Sequence, residues 1–148
     1  MKKALHFITA IIFFIVPIWG MTQTCPTDII FLSSQADVDN FEATYDVANC
    51  NFPGGISING PDIINLDGLS GLNLVEGSLY VGGNNLSDIS GLNGLTSVGE
   101  GLIISGLNSL PETSFPVLTT VGYLDIADNP NLTNIDGLLA LTSVNVDV

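Results

Sequence analysis

The residues able to do chemistry in this 148-residue chain are almost all carboxylates, hydroxyls and two cysteines. Asp125, Asp128 and Asp147 form the best carboxylate group. Asp125 and Asp147 hold the same position in successive repeats, so strand stacking would set them about 5 Å apart. A pair that close raises one pKa, the arrangement a glycosidase uses for its acid and base. Asp125, Asp128 and Asn129 together offer oxygens to a calcium ion. Thr96, Thr119 and Thr142, each followed by a second hydroxyl residue (Ser97, Thr120, Ser143), form a row that could order water.

A plainer role competes with each of these. Carbohydrate-cleaving sites of this kind also draw on Arg or Lys, and the row through Asp125 reads Ser57, Tyr80, Ile103, Asp125, Asp147, with no consistent chemistry. Neither an EF-hand nor a Gly/Asp nonapeptide accompanies the calcium candidates, which read as solvated acidic turns. The threonine row is three rungs long, sits against Val98, Val121 and Val144, and reads as a ladder between neighbouring coils. No catalytic residue is assigned, and the chain is expected not to be an enzyme.

Charge removes further functions. The two cationic residues are Lys2 and Lys3 and the one histidine is His6, whereas all 15 acidic residues lie from Asp28 to Asp147. Lys2-Lys3 followed by the apolar run Ala4 to Gly20 has the form of a secretory signal, expected to occupy 1–24. Thr22-Gln23-Thr24 before Cys25 is not the small apolar triplet of a lipoprotein. The exported chain then holds no Lys, Arg or His. Nucleic-acid binding, P-loop phosphate binding, histidine-based catalysis and attraction to anionic lipid all lose their essential group. No membrane insertion is expected after cleavage. Export favours pairing Cys25 with Cys50, since no cationic neighbour is present to activate a thiol.

The positioning elements are repeats. Ile56-Ser57-Ile58, Leu79-Tyr80-Val81, Leu102-Ile103-Ile104, Leu124-Asp125-Ile126 and Val146-Asp147-Val148 start 22 or 23 residues apart. Apolar residues follow in register: Leu86, Ile89, Leu92, Leu95 and Val98 in the second repeat, and Leu132, Ile135, Leu138, Leu141 and Val144 in the fourth. The third is looser, with Leu110, Phe115, Leu118 and Val121. Such a period predicts a solenoid of L-x-I coils, each contributing a short strand and burying its leucines against the next. Asparagines after the strands (Asn84, Asn85, Asn108, Asn129, Asn131) suit the corners. That role also accounts for the sequons at Asn85 and Asn131 better than glycosylation does. Residues 25–54 are expected to form an N-terminal cap, with a helix near 34–48 opened by a Ser34/Asp37 capping box and stapled by the disulfide. Residues 55–148 then hold four coils and the start of a fifth.

The order Cys25, amphipathic helix, Cys50, Ile56-Ser57-Ile58, Leu66, Leu69, Val75 and Gly77-Ser78-Leu79-Tyr80-Val81 resembles the receptor L-domain. That lobe occurs in epidermal growth factor and insulin receptors, and similar repeats occur in exported bacterial proteins of Bacteroidetes type. The resemblance spans Cys25 to Val148 and implies a mainly β, right-handed solenoid of short parallel sheets, serving as a non-catalytic binding module, secreted or at the cell surface. Its partner would be an extracellular protein or glycan, met on the outward row of Ser57, Tyr80, Ile103 and Asp125. The alternatives are a structural spacer within a larger adhesin and, behind it, a carboxylate-dependent polysaccharide-active enzyme. Family members close the C-terminal end with further coils or a disulfide, so a packing partner or further coils are expected beyond Val148.

Overall fold

The computed structural model of the chain describes residues 25–83, 85–108 and 112–145. The expected signal over 1–24, Asn84, Leu110 and the triplet Val146-Asp147-Val148 lie outside the described residues.

The protein is mainly β. Its strands are β1 (Ile30–Leu32), β2 (Ile56–Ile58), β3 (Leu74–Val75), β4 (Leu79–Gly82), β5 (Ser97–Ser105), β6 (Glu112–Ser114), β7 (Thr120–Ala127), β8 (Asn134–Gly137) and β9 (Ser143–Val144). Two short helices, α1 (Gln35–Asp39) and α2 (Phe41–Thr44), lie between β1 and β2. Seven strands form one open parallel sheet in the order β1-β2-β4-β5-β7-β9, with β3 beside β5. A second parallel pair joins β6 to β8.

The alternation within each triplet decides which side chains enter the core. Ile30, Ile56, Leu79, Leu102 and Leu124 pair in one row, and Leu32, Ile58, Val81, Ile104 and Ile126 in another. Both rows are buried from β1 through β5 and half-buried in β7. Val75, Val98 and Val121 are fully buried, whereas Val144 in β9 is 46% exposed. Among the described residues, burial therefore falls off toward β9, and the residues that follow it lie outside the description.

The threonine row is a ladder. The Oγ1 of Thr96, Thr119 and Thr142 donates to the carbonyl oxygens of Asn73, Thr96 and Thr119 at 2.7, 3.1 and 3.2 Å. The backbone N–H of each threonine reaches that same oxygen. On another side of the core, 3-10 turns at Asp67–Leu69 and Ser90–Leu92 stack closely. The side-chain oxygens of Asn65 and Asp88 accept the N–H two residues on and shape these turns. Asn134 does the same in the fourth repeat. Glycine is required where the turns meet: a Cβ on Gly91 would lie 1.9 Å from the Leu66 carbonyl oxygen.

The cap departs from one continuous helix over 34–48. The capping box forms, with the Ser34 side chain accepting from the Asp37 N–H and the Asp37 carboxylate accepting from the Ser34 N–H. The helix then breaks at Asn40, whose side chain donates to the Ala36 carbonyl at 2.7 Å, and α2 ends at Tyr45 in extended backbone. A stretch this rich in Asp and Asn has weak helix propensity, so docking rather than propensity holds these turns. Val38 and Phe41 are fully buried, and Phe41 clusters with Tyr45 and Phe52 at ring separations of 5.0 and 5.5 Å. Gln35 accepts from the Ile64 and Asn65 N–H groups, and Glu42 accepts from the Gly71 N–H at 2.8 Å. The Cys25–Cys50 disulfide is formed, with a Cα separation of 5.1 Å. No helix among the described residues is long and apolar enough to cross a membrane.

Candidate ligand-binding face

The middle residue of each described triplet turns out of the core, and strand register aligns these residues in one row. Ser57 pairs with Tyr80, Tyr80 with Ile103, and Ile103 with Asp125. Phe31, which the repeat spacing does not reach, extends the row by pairing with Ser57. At 67% exposed it is the most open aromatic residue of the sheet. The signal for it was the apolar-variable-apolar form of Ile30-Phe31-Leu32, which stands 26 residues before Ile56 and so outside the period.

Small residues flank the row and keep it shallow. Two positions along each strand return to the same side, which places Ser78 and Gly82 beside Tyr80, Gly101 and Ser105 beside Ile103, and Tyr123 beside Asp125. The Tyr80 ring lies over Gly82: a Cβ there would come within 2.4 Å of the Tyr80 hydroxyl. Tyr123 pairs across the strands with Gly101, and its ring fills the space that a Gly101 side chain would take. A ring covering a cross-strand glycine supports the sheet and leaves the ring's other face to solvent. Tyr123 is 44% exposed. The result is a band of Phe31, Tyr80, Ile103 and Tyr123 on a floor of glycine and serine, closed at one end by the exposed Asp125.

The calcium candidates have structural work. Asp128 has φ of 56°, the left-handed corner conformation that Gly83 and Gly106 adopt in the two preceding repeats. Asn129 binds the preceding repeat with both ends of its amide, donating to the Ile104 carbonyl at 2.9 Å and accepting from the Leu107 N–H at 3.0 Å. Among the described residues, no three Asp, Glu, Cys or His side chains are grouped to hold a metal ion. The sequon asparagines are engaged in the same manner, Asn85 donating to the Pro61 carbonyl at 3.0 Å and Asn131 to that of Asn108. Asp147, the expected stacking partner of Asp125, lies outside the described residues.

No Lys, Arg or His occurs between residues 25 and 148, so every formal side-chain charge around this face is negative. Asp37 in the cap is held below the ordinary carboxylate value, chiefly by the Ser34 hydroxyl and then by the Ser33 N–H. Compared with known proteins, the chain matches no family model, no curated protein and no solved structure.

Proposed function

We propose that the chain is an exported, non-catalytic binding module, a right-handed solenoid of the receptor L-domain type. It recognises an extracellular protein or glycan through the row of Phe31, Ser57, Tyr80, Ile103 and Asp125. The observation that carries this reading is the register itself. Five strands bring an aromatic and aliphatic band to one exposed face, where the core has no use for it. Exposed apolar residues grouped on a rigid scaffold, ringed by small polar ones, are the usual composition of an interaction hot spot. The cation-free surface favours a neutral glycan or a basic protein over an anionic polymer. The disulfide suits an oxidising compartment, in keeping with export. The non-catalytic part of the reading draws on Asp125 being the single carboxylate among the described residues of the row.

Alanine substitution tests it. Against a panel of neutral glycans and extracellular proteins, Tyr80→Ala is expected to weaken the best binder by about tenfold or more, or about 1.4 kcal/mol. The melting temperature should hold, because Tyr80 is half-buried and outside the core. Val117→Ala, exposed and away from the sheet, should change nothing. Equal affinity for all three proteins would remove the face from the account.

A further inference from the structure

Among the described residues, the sheet has an unpaired edge beside this face. Strand β1 ends the strand order, and its bonds to β2 come from alternate residues. The Ile30 N–H donates to the Gly55 carbonyl at 3.0 Å, and the Leu32 carbonyl accepts from the Asn59 N–H at 3.0 Å. In a parallel pair the residue between such partners points its own N–H and C=O the other way. The backbone groups of Phe31 therefore face away from β2. Next along the chain, the N–H groups of Ser33 and Ser34 are taken by Asp37 Oδ2 at 3.0 and 2.9 Å. The open edge is thus short, centred on Phe31.

A groove of about 210 Å³ runs along it, lined by β1 and by Ala36, Asp37, Asn40 and Tyr45 of the cap. That volume is below what a drug-sized ligand fills, and fits a backbone segment with one or two side chains. Asp37 supplies a negative charge that no cation of residues 25–148 neutralises. Residues 25–148 of a second copy would bring only more negative charge to this edge.

We propose that the outer edge of β1, which adjoins the Tyr80 row and shares Phe31 with it, is a docking site for an extended segment bearing Lys or Arg. The segment adds as a further strand: its backbone bonds to the Phe31 N–H and C=O, and a cationic side chain enters the groove beside Asp37. Strand addition draws affinity from main-chain bonds and specificity from alternate side chains.

The test uses the purified chain and a capped heptapeptide of alternating Lys and Val, with exchange of backbone amides followed residue by residue. Without peptide, the Phe31 amide should exchange faster than those of Ile30 and Leu32. Saturating peptide should slow Phe31 by about tenfold or more and leave Ile30 unchanged. The same peptide N-methylated at alternate residues, or carrying Glu for Lys, should have no effect. Phe31→Pro removes the outward N–H together with the ring, a change that an edge strand tolerates, and should abolish binding that Phe31→Ala, which removes the ring alone, merely weakens. Tyr80→Ala should leave this binding intact, which separates the edge from the face. The proposal is overturned if the Lys peptide fails to protect Phe31, or if the Glu peptide protects it equally. It is also overturned if Phe31 is already protected without peptide, either by self-association that rises with concentration or by residues 1–24 within the same chain.

Discussion

Gly91→Ala examines how closely the repeats that carry the candidate face pack at their 3-10 turns. The added Cβ would lie 1.9 Å from the Leu66 carbonyl oxygen and 2.3 Å from its carbon, both backbone atoms that no side-chain rotation can move away. An ordinary contact needs more than 3 Å, so the second 3-10 turn must back off from the first by over 1 Å. Leu66, Leu69, Ile89 and Leu92 pack across that seam and are all essentially buried. A gap of that size forfeits up to about half of each contact's dispersion energy. The expected cost is at the upper end of the overpacking range, about 3 kcal/mol. For a domain of this size that lowers the melting point by roughly 10 °C. Gly94→Ala is the control, because its Cβ would meet only the Ser70 and Leu72 carbonyl oxygens, at 3.2 and 3.4 Å. It should stay within about 1 kcal/mol of the parent. Thermal and urea unfolding followed by circular dichroism measures both. Equal melting points for the two variants would refute the close seam and the stacking argument built on it.

Three further outcomes are expected. Replacing Cys25 and Cys50 by Ser frees a loop spanning 25 residues and should cost about 3 kcal/mol in the chain-entropy model, read by urea unfolding; a loss under about 1 kcal/mol would contradict the stapled cap. Because Asp37 has a lowered folded pKa, its contribution is complete above the ordinary value of 3.8 and disappears as pH falls through the folded value below that. The stability gap between the parent and Asp37→Asn should accordingly be constant at neutral pH and close in acid; a gap that persists at the acid limit would contradict the capping account. Thr119→Val should cost less than about 1 kcal/mol in a melting experiment, because the Thr96 carbonyl it leaves still accepts the Thr119 N–H at 2.9 Å.

The triplets were legible because local alternation and burial agree: Ile56, Ile58, Leu79 and Val81 could reach a core only by pairing at the repeat spacing. The cysteine pair was legible from count and compartment. Phe31 was missed because the cap lies between it and Ile56, lengthening that one interval to 26 residues. Tyr123 was missed for a different reason. It stands directly before its triplet, where the preceding repeats have Gly55, Ser78 and Gly101, so no recurring residue type marks it. The β6–β8 pair was hidden too, since Glu112-Thr113-Ser114 has no apolar alternation and pairs through its backbone. In the cap, the period of Val38, Phe41 and Tyr45 located the buried side chains, yet it could not register the break at Asn40, which depends on a side-chain bond to Ala36.

Recognition on the outward row leaves a signature in the bound state. With the strongest binder from the glycan and protein panel in place, methyl and aromatic cross-saturation by NMR maps the contact directly. The account predicts saturation of Ile103, Tyr80, Tyr123 and Phe31, with the turn residues Ser70 and Asn93 untouched. Saturation concentrated on those turns, with the Tyr80 and Ile103 signals unchanged, would contradict it.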